Sequence, residues 1–180
     1  MPTVLLDADA MKRTLGRMVH EILDRNDGAE DLVVVGILRR GYPVAKRLAF
    51  LLTGASGYTV PLGKVDVRAS RDDDRRSADD ESEIPFELRG RKVILVDEVM
   101  YTGRTVRAAL ETVLHFGRPN SVQLAVLVDR GHRELPIQPD YVGRHVRTNA
   151  GDHVTVMVRE FDGEDKVVLE TEAERPVPTL

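Results

Sequence analysis

Short apolar runs alternate with stretches of helical periodicity along this chain. Runs at residues 32–36, 91–96 and 122–128 are rich in Val, Leu and Ile, and each is predicted to be a buried strand. Strands that alternate with helices are typical of βα units, which place their strands side by side in one sheet. The pattern therefore predicts an α/β fold in which helices flank a mostly parallel central sheet.

Helical spacing is clearest after Asp7, which we interpret as the N-cap of a first helix that ends at Asn26-Asp27-Gly28. Two further helices are predicted, one at about 43–52 and one that follows the loop after residue 96 and ends at about 116. The apolar face of the first helix is formed by Met11, Leu15, Met18, Val19, Ile22 and Leu23.

The remaining segments are less regular. Residues 58–67 are predicted to be extended, and residues 131–151, which are rich in Arg, His and Pro, to be irregular. Two apolar runs at 154–159 and 166–170, joined through Asp162-Gly163, predict a C-terminal hairpin.

The composition mainly excludes certain classes of protein and of chemistry. The 180 residues suit one domain, and 42% apolar with 31% charged residues is typical of globular proteins. No apolar run approaches the roughly 20 residues that span a bilayer, and the N-terminus lacks the pattern of a secretory signal. The absence of cysteine excludes disulfides and thiolate catalysis. We therefore expect a cytoplasmic protein with no membrane partner.

Charge is concentrated in one segment. Residues 66–83 contain eight acids and four arginines, and their net charge of −4 equals that of the whole chain. A polyanionic partner must therefore use a local basic patch, because no overall positive field exists. Residues 68–83 have no periodicity and almost no apolar side chains, so they are predicted to be a mobile excursion.

The most specific motif runs from Val93 to Thr105. Four apolar residues form a strand, Asp97 and Glu98 follow at its carboxyl end, and Thr102-Gly103-Arg104-Thr105 opens a helix. Ligands of open α/β sheets bind at the carboxyl ends of strands. Free N–H groups at a helix N-terminus favour an anion, and glycine lets the backbone approach it closely. The motif predicts a phosphate site, with acids that can accept hydrogen bonds from vicinal hydroxyls or position hydrated Mg²⁺.

This motif resembles the signature with which type I phosphoribosyltransferases bind phosphoribosyl pyrophosphate (PRPP). The resemblance implies that Asp97 and Glu98 meet the ribose hydroxyls and take part in catalysis. The family's acid pair is more usually Asp-Asp or Glu-Asp, so Glu98 is a departure. By the same resemblance, the 5′-phosphate is held by Tyr101, Thr102, Gly103, Arg104 and Thr105.

Two other segments are similar to parts of the same family. Arg39, Arg40 and Gly41 resemble its pyrophosphate loop, since guanidinium and backbone N–H groups suit that anion. The excursion at 68–83 stands where the family has a flexible catalytic loop that closes over PRPP. Within it, Arg71-Asp72-Asp73 matches an element of the PyrR proteins, and we assign Arg71 to catalysis. The tyrosine that usually precedes this element is Ser70 here.

Membership of the PyrR family is indicated by residues 121–143, within which residues 123–137 look nearly unaltered from it. In that family this region lies beside the nucleobase, so the resemblance implies a base-binding hood at about 129–151 with the C-terminal hairpin. Asp129, Arg130 and His132 are the implied base contacts. A structural loop in which Arg133 and Glu134 pair with each other stays an alternative. Overall, the resemblance covers roughly residues 5–170.

PyrR proteins combine uracil phosphoribosyltransferase activity with binding of the pyr mRNA leader. The first helix carries Arg13, Arg17 and His20 opposite its apolar face, and Arg144 and Arg147 add a second basic cluster. Arginine on a shaped surface suits RNA phosphates and unstacked bases. These five residues are the predicted RNA contacts, and an ordinary solvated surface is the alternative.

The leading hypothesis is a bifunctional protein. It converts uracil and PRPP to UMP and diphosphate, and it regulates pyrimidine genes by attenuation through UMP-responsive RNA binding. A purine-base phosphoribosyltransferase is one alternative. A nucleotide-sensing RNA-binding regulator with little catalysis is another, which the departures at Arg39, Ser70 and Glu98 keep open. Mg²⁺ is expected to arrive mainly with PRPP and not to bind a cage of protein ligands. The resemblance also implies a homodimer or homotetramer.

Overall fold

The computed structural model describes residues 1–68 and 79–175. Ser70 and Arg71-Asp72-Asp73 lie outside these residues, so the predictions made for the catalytic loop stay predictions. In chain order the elements are β1 (Thr3–Leu6), α1 (Ala8–Arg25), β2 (Leu32–Ile37), α2 (Gly41–Ser56), β3 (Leu62–Val65), β4 (Lys92–Met100), α3 (Arg104–Phe116), β5 (Ser121–Asp129), β6 (Tyr141–His145), β7 (His153–Met157), the single turn α4 (Arg159–Asp162), β8 (Lys166–Glu170) and a 3-10 turn (Glu172–Glu174).

The larger sheet confirms the predicted α/β fold. Its five strands run in the order β3-β2-β4-β5-β6, and every neighbouring pair is parallel. Alternate residues of a strand face opposite sides, so Val34 of β2 packs with α1 and α2, whereas Val33 and Val35 pack on the side of α3. β2 is buried along its whole length because helices cover both faces.

The predicted first helix and hairpin are also confirmed. Asp7 is the N-cap of α1, and its Oδ1 accepts a hydrogen bond from the backbone N–H of Ala10 at 2.8 Å. The hairpin strands β7 and β8 pair antiparallel, with α4 in their connection. β1 adds to the outer edge of β8 and completes a three-stranded sheet, which we call the hood sheet.

Three predicted boundaries were wrong. Residues 131–151 are not wholly irregular, because β6 lies within them and forms the edge of the large sheet beside β5. This edge strand lacks an apolar run, and only Tyr141 in it is buried. β4 does not end before the acids but continues through Asp97 and Glu98 to Met100, because β5 goes on pairing with it. α2 is longer than predicted, starting at Gly41 and ending at Ser56.

Candidate active site

The site lies at a crevice between β2 and β4. Pairing of these strands stops at Gly36 and Val96, whereas β4 stays paired to β5 as far as Met100. Beyond the crevice the chain continues on opposite faces of the large sheet, since β2 leads into α2 on one face and β4 leads into α3 on the other. Such a switch point at the carboxyl ends of parallel strands is where open α/β sheets bind ligands.

Asp97 lies at the base of this crevice. It is 5% exposed, and its Oδ1 accepts a hydrogen bond from the backbone N–H of Glu98 at 2.9 Å. The start of α2 presses against it. A Cβ added to Gly41 would lie 2.8 Å from the carbonyl oxygen of Val96 and 3.0 Å from Oδ1 of Asp97. Glycine at position 41 therefore allows the loop of residues 39–41 to approach Asp97 closely.

The predicted phosphate loop forms a pocket of about 270 Å³ at the N-terminus of α3. Gly103 is the N-cap residue of the helix, with φ of +96°, and has no side chain with which to cap it. Thr102 Oγ1 accepts a hydrogen bond from the backbone N–H of Arg104 at 3.2 Å. The pocket is lined by Asp97, Val99, Met100, Tyr101, Thr102, Gly103, Arg104, Thr105 and Val106. The structure thus brings Asp97 together with all five residues predicted around the phosphate.

Residues 131–137 support this loop from behind. The backbone N–H groups of Glu134 and Leu135 donate to the carbonyl oxygen of Thr102 at 2.9 and 3.1 Å. Glu134 also accepts a hydrogen bond from Nε of Arg104 at 2.9 Å. The predicted phosphate loop and residues 131–137 are therefore joined by both backbone and side-chain hydrogen bonds.

The two arginines of the pyrophosphate loop have different surroundings. Arg39 follows a cis peptide bond after Leu38, and its guanidinium forms an ion pair with Glu81. Arg40 instead forms two hydrogen bonds with Asp162 of α4, and its Nη1 donates to the carbonyl oxygen of Val156 at 3.2 Å. The Arg40 side chain therefore connects the end of β2 in the large sheet to the hood sheet. This role differs from the contact with pyrophosphate that the sequence predicted.

A cluster that we call the clasp joins the two ends of the excursion: Asp66, Arg68, Glu81 and Ser82. Asp66 accepts hydrogen bonds from Nε of Arg68 at 3.0 Å and from its Nη2 at 2.6 Å. The backbone N–H of Glu81 also donates to Asp66, at 3.3 Å. The hydrogen bonds from Arg68 lower the pKa of Asp66 to about 2, although burial opposes the shift. Sequence reasoning missed the clasp, because its members are separated by the excursion.

The clasp predicts a pH-dependent effect. A carboxylate whose pKa falls on folding stabilises the folded state above its unfolded pKa and loses this contribution as pH falls toward the folded pKa. Asp66→Asn is therefore expected to lower the free energy of unfolding at pH 7 by ~1–2 kcal/mol. Urea unfolding at several pH values should show this difference shrinking from about pH 4 downward, toward the pKa of about 2. Asp31→Asn is the control, since the Asp31 side chain makes no hydrogen bond or ion pair among the described residues. A difference independent of pH would contradict the assignment.

Asp129, one of the three predicted base contacts, is already hydrogen-bonded within the protein. Its two oxygens accept hydrogen bonds from Nη1 and Nη2 of Arg133 at 2.9 and 2.6 Å, and Gly131 N–H adds a third at 3.1 Å. Burial acts to raise the pKa of Asp129, but these hydrogen bonds outweigh it and lower the pKa. The alternative pairing of Arg133 with Glu134 was also wrong, because Glu134 binds Arg104 instead.

The other two predicted base contacts surround Tyr101. The guanidinium of Arg130 lies 4.1 Å from the centre of the Tyr101 ring, and the His132 ring meets it edge-on at 5.7 Å. Arg130 is 6% exposed, and its Nε has no hydrogen-bond partner in the described part of the chain. His132 Nε2 donates to the carbonyl oxygen of Thr148 at 2.7 Å. Arg130 and Tyr101 thus lie beside the phosphate pocket with a buried donor still unused.

The five predicted RNA contacts fall into two groups. Arg17 is bound to Glu21 at 2.6 Å and to the carbonyl oxygens of Val142 and Gly143 in β6. Arg144 donates to the carbonyl oxygen of Leu5. These two arginines therefore hold α1, β6 and β1 together. Arg13, His20 and Arg147 are exposed, and their side chains make no hydrogen bond or ion pair among residues 1–68 and 79–175.

In the described ranges, no three His, Cys, Asp or Glu side chains lie close enough together to hold a metal ion. The same residues contain no helix with the length and apolar character needed to cross a bilayer.

The fold and the site together define a phosphoribosyltransferase. Residues 3–160 match the family model described as phosphoribosyl transferase domain. Hypoxanthine phosphoribosyltransferases from Trypanosoma cruzi and Staphylococcus aureus have the same fold, with TM-scores of 0.72 and 0.70. The Trypanosoma cruzi enzyme is 19% identical, and the match covers 97% of each chain. The Staphylococcus aureus enzyme is 18% identical, and the match covers 92% of this chain and 90% of that enzyme.

Sequence relatives narrow the class. A protein of Pelotomaculum thermopropionicum called Bifunctional protein PyrR is 50% identical over 174 residues, covering 94% of this chain and 96% of the relative. A protein of the same name from Deinococcus radiodurans is 50% identical over 169 residues, covering 92% of each. The chain belongs to the PyrR family, as the sequence motifs predicted.

Proposed function

We propose that this chain transfers the phosphoribosyl group of PRPP to uracil, giving UMP and diphosphate, and that it regulates pyrimidine genes by UMP-responsive binding of the pyr mRNA leader. The observation that carries the enzymatic part is the crevice between β2 and β4. It brings Asp97, the phosphate pocket and the Arg39 loop to one edge of the sheet. PyrR relatives at 50% identity support the regulatory part.

The residues of this crevice suit a charge-stabilised transfer. The N-terminus of α3 and Thr102 bind the 5′-phosphate, and Asp97 accepts hydrogen bonds from the ribose hydroxyls. The bond from C1′ to the pyrophosphate oxygen breaks with its electron pair on diphosphate, a bond from uracil N1 to C1′ forms, and the N1 proton passes to the departing diphosphate. The buried carboxylate of Asp97 stabilises positive charge on the ribosyl ring, and Arg39 stabilises the departing diphosphate.

Mg²⁺ fits this donor set as an ion carried by the substrate. Asp97 and Glu98 offer carboxylate oxygens, which are the ligands Mg²⁺ prefers, and Mg²⁺ usually keeps several waters and is shared with phosphates. When bound with PRPP it would neutralise pyrophosphate charge. The protein side of such a site would consist of this acid pair.

Base recognition is assigned to Arg130 and His132 around Tyr101, with Asp129 acting through Arg133. Arg130 brings a buried unpaired Nε–H next to the phosphate pocket, and a buried donor without a partner favours a ligand that carries an acceptor. Uracil has two carbonyl oxygens that can serve. The purine enzymes named above share the fold at 18–19% identity, and they do not favour a purine for this chain.

One set of assays tests the whole proposal. PRPP turnover is measured with uracil, hypoxanthine and guanine, and binding of a pyr leader RNA is measured with and without UMP. Turnover with uracil alone, together with UMP-dependent RNA binding, is expected. Turnover with a purine would select the purine alternative, and UMP-dependent RNA binding without any turnover would select the regulator with little catalysis.

The exposed basic residues allow a sharper RNA test. Arg13→Ala is expected to weaken RNA binding and to lower the log–log salt slope by roughly one, because one phosphate contact is lost. Uracil turnover should stay within about twofold of the wild type, since Arg13 is remote from the crevice in sequence and makes no described hydrogen bond.

Arg17→Ala is the informative comparison. Because Arg17 binds the carbonyl oxygens of β6, its loss should lower the thermal midpoint as well as RNA affinity. RNA affinity unchanged by Arg13→Ala, His20→Ala and Arg147→Ala would remove these exposed residues from the RNA site.

Assembly and location follow from the same proposal. PyrR family membership supports a homodimer or homotetramer, which sedimentation of the purified protein can distinguish. The proposed substrates and messenger RNA are found in the cytoplasm, so that is the location we propose.

A further inference from the structure

Glu81 forms an ion pair with Arg39, whereas the neighbouring Arg40 is bound to Asp162 and Val156 beside the hood sheet. Nη2 of Arg39 forms an ion pair with Oε2 of Glu81, and both side chains are about half exposed, at 54% and 44%. The same Oε2 lies 3.2 Å from Nη2 of Arg68. The Glu81 carboxylate is thus shared between an arginine of the pyrophosphate loop and an arginine of the clasp.

The backbone around this contact is fixed from both sides. Leu38 N–H donates to the carbonyl oxygen of Val65 at 2.9 Å, which ties the pyrophosphate loop to the end of β3. Lys64 and Glu83 exchange two backbone hydrogen bonds of 2.9 Å, and Asp66 N–H donates to Oγ of Ser82 at 2.8 Å. Both partners of the ion pair are therefore anchored to β3, so the contact does not depend on two freely moving side chains.

A carboxylate oxygen and a pyrophosphate oxygen interact with a guanidinium in the same way. Each accepts charge-assisted hydrogen bonds from its N–H groups, and the N–H groups that face Glu81 cannot serve both acceptors at once. The hydrogen bond from Arg39 holds the pKa of Glu81 below its usual range, so this carboxylate is charged at neutral pH.

We propose that Glu81 is an internal competitor of pyrophosphate for Arg39. The inference rests on the proposed function, because it takes Arg39 as a pyrophosphate contact. Binding of PRPP or diphosphate requires the Glu81 carboxylate to leave Arg39. The carboxylate can keep its hydrogen bond with Arg68 when it does so. Glu81 thereby weakens binding of both ligands and favours release of diphosphate after transfer. It is a positioning residue that sets the affinity of the pyrophosphate site.

The test measures binding of inorganic pyrophosphate with Mg²⁺ by calorimetry, independently of turnover. Glu81→Gln is expected to lower the dissociation constant by about two- to fivefold, the range that an exposed ion pair supports. Glu83→Gln is the matched control. It removes the same charge two residues away, and the Glu83 side chain makes no hydrogen bond or ion pair among the described residues. Its dissociation constant should stay within about 1.5-fold of the wild type.

The same measurement in the Arg39→Gln variant shows whether Glu81 acts through Arg39. If Glu81 acts by occupying Arg39, the gain from Glu81→Gln must vanish when Arg39→Gln is already present, and thermal unfolding must show that all variants fold. Equal effects of Glu81→Gln and Glu83→Gln would overturn the proposal, as would a gain that persists without Arg39. If the wild type binds pyrophosphate but Arg39→Gln binds it equally well, the assignment of Arg39 in the proposed function fails instead.

Discussion

Replacing Asp97 by Asn is expected to reduce PRPP turnover with uracil by about 10- to 150-fold while the fold stays intact, as loss of a charge-assisted hydrogen bond of ~1.5–3 kcal/mol implies. Asp97 is 5% exposed and lies at the base of the crevice, where the pairing of β2 and β4 ends. The amide has nearly the same shape but carries no negative charge to accept ribose hydroxyls or to stabilise the ribosyl cation.

Steady-state turnover and thermal unfolding would be measured on the same preparation. Asp31→Asn makes the identical change before β2, at the opposite end of the strands, and is expected to leave turnover unaltered. Wild-type turnover in Asp97→Asn would refute the assignment of this acid. Loss of the folded state would show that Asp97 is needed for structure and would leave the ribose contact without support.

Gly41→Ala is the second change with a large expected effect. The added methyl would lie 2.8 Å from the carbonyl oxygen of Val96 and 3.0 Å from Cα and Oδ1 of Asp97, so either α2 or β4 must shift. Overpacking of this kind typically costs ~1–3 kcal/mol of stability. A shift of the acid relative to the phosphate pocket is expected to lower turnover by at least about tenfold, since catalysis by positioning is sensitive to small displacements.

Gly54→Ala provides the control within the same helix. No atom lies within 4 Å of the position that its added Cβ would occupy, and alanine is better than glycine inside a helix by ~0.5–1 kcal/mol. Turnover should be unchanged and the thermal midpoint slightly higher. Full activity in Gly41→Ala would mean that the pyrophosphate loop does not need its close contact with Asp97.

The RNA face shows where sequence reasoning was incomplete. The helical spacing of Arg13, Arg17 and His20 correctly placed them on the side of α1 opposite its apolar face, but spacing does not reveal what approaches that side. In the structure β6 lies close enough for Arg17 to bind its carbonyl oxygens. The edge strand β6 was itself unpredicted, so its contacts with α1 could not be anticipated.

Local patterns determined the parts of this protein whose physics is local. The apolar runs of β2, β4 and β5, the N-cap at Asp7 and the phosphate turn at Gly103 were readable because each depends on neighbouring residues. The combination of strand, acids and turn was specific enough to predict the phosphoribosyltransferase class, and residues 121–143 indicated the PyrR family; the family model and the relatives confirm both.

Tertiary structure decided which charged side chains are already engaged. Arg40 binds Asp162 across 122 positions, Arg39 binds Glu81 across 42, and Arg17 reaches β6 across 126. Asp129 is taken by Arg133, only four positions away, but a loop gives no fixed periodicity from which that pairing follows. The sequence by itself predicted the pocket at the N-terminus of α3 and the acid at the end of its strand, because strand ends and helix N-termini create such a site through the backbone. Only the tertiary structure determined which arginines and acids already have partners within the protein. Such pairs form between side chains that are close in space, and closeness in space does not follow from position in the sequence.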